Sequence, residues 1–131
     1  MDKNIGSVVQ AVGPIIDVRF KDEHLPELLT ALVVKLPDGK SLTLEVAQHI
    51  GDDIVRTVSM GATEGLRRGM EVISTQNPIQ VPVGRATLGR MFNVLGEPID
   101  GLELGEVAEA KKMSIHRNPP KFKDQSVKKE I

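Results

Sequence analysis

Apolar and polar residues alternate with a period of two over most of the first 75 positions. Ile16, Val18 and Phe20 alternate with Asp17 and Arg19, which predicts a strand with one apolar and one charged face. Val8 and Val12 continue even spacing upstream, and Gly13-Pro14 between the two runs predicts a bend or strand break. The run 32–36 is followed by Pro37-Asp38-Gly39-Lys40. Asp-Gly between apolar runs predicts a hairpin, because both central residues can take positive φ. The return strand sets Leu42, Leu44, Val46 and Ile50 on one side and Thr43, Glu45 and His49 on the other. Gly51-Asp52 turns the chain into a strand over 53–60, where Val55, Thr57 and Val58 favour extended backbone. Gly61, Gly65 and Gly69 punctuate a loop before a last short strand over 70–74, and Pro26 makes 25–32 a connection rather than a helix. About six short strands with frequent turns predict a closed barrel, since closure removes exposed edges.

The texture changes from Gln76. Asn77-Pro78 reads as a turn and a domain boundary. Residues 81–83 read as a strand, placed at an edge because Pro82 lacks an N–H. A single helical turn over 85–90 and a second strand over 91–95 follow. Residues 101–112 are polar with some helix-favouring members, and Asn118-Pro119-Pro120 imposes extended backbone. The tail to Ile131 has too few apolar residues to fold by itself. A domain of this size buries only about 60% of its unfolded surface, so neighbouring subunits are a natural source of further burial.

Charge divides the chain at the same level. Residues 1–110 carry 10 Lys+Arg against 16 Asp+Glu, and residues 111–131 carry 7 against 2. A basic tail on an acidic body raises nucleic acid as a partner, but a solvated segment is the plainer reading. With only Phe20, Phe92 and Phe122 as aromatics, a base-stacking platform is disfavoured. The absence of cysteine excludes disulfides and thiolate chemistry. Met1-Asp2-Lys3-Asn4 leads into no apolar run, which speaks against a secretory signal, and no apolar stretch approaches the roughly 18 residues needed to cross a bilayer. Any membrane link is expected to run through a partner.

Candidate chemistry is sparse. A phosphate loop needs Gly, four residues, then Gly-Lys and a hydroxyl. Gly39-Lys40-Ser41 has the ending, but Val34 stands where the first glycine belongs. Gly84 and Gly89 have the spacing, but Arg90-Met91 follows. Both are rejected. His24, His49 and His116 are widely separated and lack cysteine partners, so a metal site is not expected. His49 falls on a polar strand face, Asp52-Asp53 in a turn, and Arg67-Arg68 in a solvated loop or a subunit contact. No Gly-x-Ser-x-Gly elbow or Cys–His pair is present. No residue is assigned a catalytic, cofactor-binding or metal-binding role.

Read as a string, the chain resembles the β-subunit family of F-type ATP synthases. The resemblance is carried by Gly6-Ser7-Val8-Val9-Gln10-Ala11-Val12-Gly13-Pro14-Ile15-Ile16-Asp17-Val18-Arg19-Phe20 and by Leu42-Thr43-Leu44-Glu45-Val46-Ala47-Gln48-His49. It continues through Val55-Arg56-Thr57-Val58-Ser59-Met60, Thr63-Glu64-Gly65-Leu66, Arg68-Gly69-Met70-Glu71-Val72 and Pro82-Val83-Gly84. The block 88–100, reading LGRMFNVLGEPID, and Ile115-His116-Arg117 complete it. The middle pieces resemble β rather than α, the flagellar export ATPase or the vacuolar type, which share mainly the Gly-Arg…Leu-Gly-x-x-Asp pattern. Gly61 stands where the family usually has aspartate, and 101–113 departs from the usual glycine-proline-containing connection.

The resemblance implies a mainly β chain with two parts. Residues 1–75 would form the six-stranded crown barrel, and residues 76–131 the incomplete N-terminal part of a RecA-like α/β nucleotide-binding domain. The implied partners are α subunits and other β subunits in a hetero-hexameric ring, with the γ subunit reached through the parent protein. That parent makes ATP from ADP and phosphate using a proton gradient and binds ATP or ADP with magnesium. Its phosphate loop is not among these residues, so the chain is expected to be an inactive N-terminal portion serving ring assembly. It would sit peripherally on the cytoplasmic face of a bacterial inner membrane, touching the membrane only indirectly. A regulator competing with the full β subunit for α is a further reading. The alternative from another class is a small barrel that binds nucleic acid through its basic tail.

Overall fold

A computed structural model describes residues 4–21 and 24–124. Six strands close into a barrel: β1 (Ile5–Val12), β2 (Ile15–Phe20), β3 (Thr30–Lys35), β4 (Ser41–Gly51), β5 (Ile54–Ser59) and β6 (Glu71–Pro78). Their order around the wall is β1-β2-β5-β4-β3-β6, every pairing is antiparallel, and β6 returns to β1. The chain then forms an extension with a two-stranded ribbon, β7 (Gln80–Pro82) and β8 (Lys112–Ser114), and short 3-10 turns at Arg85–Thr87, Gly105–Glu109 and Phe122–Asp124. Among the described residues there is no α-helix, and no helix is long and apolar enough to cross a membrane.

Period-two alternation sends one side of each strand inward. Ile16, Val18, Phe20, Leu32, Val34, Leu44, Val46, Val55 and Val72 are fully buried and form one core. Thr57 shares that interior; its hydroxyl donates to the Ile16 carbonyl at 2.7 Å, so no polar group is stranded. Leu66 and Met70 from the β5–β6 loop pack against the same core.

Two residues expected inside are outside, and bulges explain both. The register of β1 against β2 shifts between Val8 and Gln10, so Val9 is an extra residue and Val12 turns to solvent. Register shifts in β4 between Val46 and Gln48 and between His49 and Gly51 likewise expel Ile50. They turn His49 toward the end of the barrel, where its Nε2–H donates to the Pro26 carbonyl at 2.7 Å. His49 remains exposed, and its imidazole fastens the β2–β3 connection through this bond.

The turns also differ in detail. The β3–β4 hairpin forms at 37–40 as expected, but only Gly39 is left-handed, at φ 86, and its N–H donates to the Leu36 carbonyl. That is a longer loop with a glycine at its left-handed position, not a two-residue turn. The two-residue turn with both central residues left-handed lies instead at Asp52-Asp53, with φ 53 and 62. Strand β6 runs on through Asn77-Pro78, where a turn was expected. It does so across a kink at Gln76, φ 62, because Thr75 Oγ1 donates to Ala31 O and Thr30 pairs with Pro78.

The closing seam pairs Ile5 with Ile73, Gly6 with Val72 and Ser7 with Glu71. Gly6 has no side chain because none fits: a Cβ there would lie 2.7 Å from the Arg19 carbonyl oxygen and 3.0 Å from the Phe20 ring. Gly6→Ala is therefore expected to destabilise by about 1–3 kcal/mol through overpacking, and Phe20→Ala by about 3–5 kcal/mol through the cavity it leaves. Urea unfolding of the two variants measures both; an unchanged midpoint for Gly6→Ala would show that the seam is looser than this.

Candidate functional site

The outer wall of the barrel holds one buried charge. Asp17 lies on the outward side of β2, yet its side chain is only 5% exposed. The register explains the cover. Gln10 of β1 and Arg56 of β5 sit directly opposite Asp17 on either side, forming a polar row across three strands. Arg56 donates from Nε and from an Nη to the two carboxylate oxygens at 3.0 and 3.2 Å, and Gln10 Nε2 donates at 3.0 Å. The Arg56 hydrogen bond holds the Asp17 carboxyl below the usual carboxylate range, against the opposing effect of burial and with help from Gln10. The same bond holds Arg56 above its ordinary value.

A second polar centre organises the extension. Arg90 Nε donates to an Asp100 carboxylate oxygen at 2.8 Å, and its remaining N–H groups reach the Glu103 and Leu104 carbonyls at 2.7 and 3.3 Å. Asp100 also accepts the backbone N–H of Met91 and of Leu102. These bonds, led by that to Arg90, push the Asp100 carboxyl well below its ordinary range. The Arg90 guanidinium lies 5.9 Å from the centre of the Phe92 ring, within cation–π reach. Next to it, Asn93 Oδ1 accepts from the N–H groups of Leu95 and Glu97. Those bonds compete with a ladder. The expected strand over 91–95 is accordingly a turn with one isolated bridge, Phe92 to Pro98. Gly96, at φ 80, closes this turn against Pro82, where a Cβ would meet the proline Cδ at 2.8 Å.

The third centre joins the two parts. His116 Nε2 lies 2.7 Å from Glu45 Oε2 on β4. The sequence separates these three pairs by 39, 10 and 71 positions, and their charge signs were the only signal available beforehand.

The candidates weighed from sequence are placed as follows. Gly39-Lys40-Ser41 lies in the β3–β4 hairpin. Gly84 and Gly89 flank a three-residue 3-10 turn, and Arg90 beyond them is committed to Asp100. The three histidines have three separate settings: His24 on the β2–β3 connection, His49 against Pro26, His116 against Glu45. No group of three or more His, Cys, Asp or Glu poised for a metal is found among the described residues. Arg67-Arg68 is exposed on a loop whose end is pinned to β1 by Gly69 N–H to Val8 O and Val8 N–H to Met70 O.

What the extension presents is apolar surface. Leu88, Met91, Val94, Ile99, Leu102 and Leu104 are exposed, Leu88 at 76%, while the backbone around them is tied by polar side chains.

The class defined here is a closed, six-stranded antiparallel barrel domain carrying a loop-built extension with an apolar face. A family model described as the ATP synthase alpha/beta family, beta-barrel domain, matches residues 8–76, more than half of the chain. The chain belongs to the ATP synthase alpha/beta family.

The Asp17 pair yields a pH prediction. Its folded carboxyl titrates below the unfolded one, so its stabilising contribution is present above the ordinary aspartate value of about 3.9 and is lost as pH falls through the folded value. Asp17→Asn is expected to cost about 1–2 kcal/mol at neutral pH, moderated by solvent around Arg56. The gap between wild type and variant should close as the pH drops below about 4, which denaturant titrations over a pH series will read directly.

Proposed function

We propose that this chain is the barrel-bearing N-terminal portion of the β subunit of a proton-translocating F-type ATP synthase, and that it acts as an assembly module of the subunit ring. The family match over the barrel supports the general placement, and the blocks resembling β rather than α support the finer one. In this reading residues 1–75 form the crown barrel and residues 76–131 begin a RecA-like nucleotide-binding domain. The single observation that carries the assembly role is the contrast within the molecule. The barrel closes its own hydrogen-bonded wall and buries one core, whereas the extension buries little of its own apolar surface and exposes Leu88, Met91, Val94, Ile99, Leu102 and Leu104.

Contacts with α subunits would come from the outer wall and from the loop containing Gly61, Gly65 and Gly69, since a closed barrel has no strand edge to lend. ATP or ADP with magnesium would be bound by parts of the parent protein carrying the phosphate loop, a motif absent from these 131 residues. The γ subunit would be met through the same parts. The assembly would lie on the cytoplasmic face of a bacterial inner membrane, with this chain touching lipid only through partners.

Co-expression with an α-subunit barrel domain tests the reading. A heteromeric species at micromolar concentration is expected, weakened by Arg68→Glu in the exposed loop; a chain that elutes alone under those conditions argues against ring assembly. In the same preparations the isolated chain should show no magnesium-dependent ATP hydrolysis, and turnover that survives further purification would overturn the assignment of the chemistry to other segments.

A further inference from the structure

The extension is attached to the barrel in an economical way. Its ribbon, β7 with β8, forms a sheet of its own and shares no ladder with the barrel wall. The chain leaves the wall after Pro78, which still pairs with Thr30, and the last part of β6 before it is irregular and held by side-chain bonds. Thr75 Oγ1 donates toward the Ala31 and Asn77 carbonyls, the Gln76 N–H donates to Ser74 Oγ, and Asn77 Nδ2 donates to the Thr75 carbonyl. Gln76 is left-handed at φ 62, a conformation that costs energy for a non-glycine residue and bends the strand. Between the outer wall at Val33 and Thr43 and the ribbon at Gln80 and Lys112 lies a cleft of about 360 Å³.

One carboxylate–imidazole hydrogen bond spans that arrangement. Glu45 faces outward from β4, where its cross-strand neighbours are Ala31 and Val58, neither of them charged. His116 Nε2 is its hydrogen-bond partner, at 2.7 Å. The histidine is aimed by its own backbone: its N–H donates to Ser114 Oγ at 3.0 Å, and the adjoining Ile115 N–H donates to the Ile79 carbonyl at 3.0 Å. The backbone that carries the ring is therefore tied to the ribbon, and the backbone that carries the carboxylate belongs to the barrel wall.

We propose that Glu45 and His116 form a releasable clasp that sets the orientation of the extension on the barrel, with the hinge where the chain leaves the wall after Pro78. Opening the clasp breaks one side-chain bond and leaves the barrel ladders whole, so the ribbon turns while the wall stays fixed. A carboxylate–imidazole pair suits this, because it is directional when closed and both partners are readily solvated when open. The clasp rests on the geometry of this chain and is independent of the subunit assignment.

The chain has no cysteine, so Lys40→Cys on the barrel and Glu109→Cys on the extension can carry a pair of spin labels in the full chain. A single narrow distance distribution is expected in the otherwise wild-type background. Glu45→Ala and His116→Ala should each widen it at least twofold while the barrel's urea midpoint stays put. The exchange of Glu45→His with His116→Glu should narrow it again. An unchanged distribution in both single variants overturns the clasp. So does loss of barrel folding in either, which would make the pair a support of the wall rather than a fastener of the extension.

Discussion

Everything in this molecule depends on the seam where β6 meets β1. Six short strands with a single buried layer cannot stand as an open sheet, because two unpaired edges would remain and the inward side chains would lie half in water. The seam is short, three register pairs from Ile5 to Ser7, and it is lengthened by loop backbone. The Val8 N–H reaches Met70, the Gly69 N–H reaches Val8, and the Ser74 N–H reaches Asn4. Each of these bonds fixes an element that would otherwise be a free terminus or a free loop. The Phe20 ring sets the condition for closure. It fills the interior beneath β1, and β1 can approach it only because position 6 lacks a side chain.

Polar side chains do a different job from the core. Asp17–Arg56 ties neighbouring strands, Arg90–Asp100 ties a loop to itself, and Glu45–His116 ties the two parts of the chain. Covered carboxylates of this kind are stable only when their hydrogen-bonding capacity is met. Asp17 meets it with Arg56 and Gln10, and Asp100 with a guanidinium and two backbone amides. Surface pairs without such cover contribute little.

The legible part of the fold follows the same division. Strand number, closure and most of the core were readable because alternation is imposed residue by residue by the pleat. Val12 and Ile50 were misplaced because one inserted residue reverses the parity of everything beyond it, and bulges have no reliable local signature. Residues 91–95 carry the composition of a strand, but Asn93 offers the backbone better bonds than a ladder does. The three residues of β8 were invisible, being too short for any periodicity and defined only by pairing with β7. The charged pairs escaped for a related reason: 39 and 71 residues of separation are bridged by register, and register is a property of the closed barrel rather than of either segment. Arg90 and Asp100 were nearer to being read, since both lie within the block 88–100 that carries the family resemblance.

The extension shows why local order and local stability need not coincide. Its backbone is held in place by Arg90, Asp100 and Asn93, so the loops already have their shape. Leu88, Met91, Val94, Ile99, Leu102 and Leu104 are nonetheless turned outward, and the buried apolar residue of its 3-10 turn at Gly105–Glu109 is Val107. Such an arrangement is unfavourable in isolation, because ordering is spent on residues that gain no burial. It becomes favourable once further polypeptide packs against them, and then the ordering cost is already met, so that more of the buried area appears as binding free energy. A barrel that satisfies itself, joined to loops shaped in advance for burial by something else, is therefore internally consistent as one piece of a larger assembly.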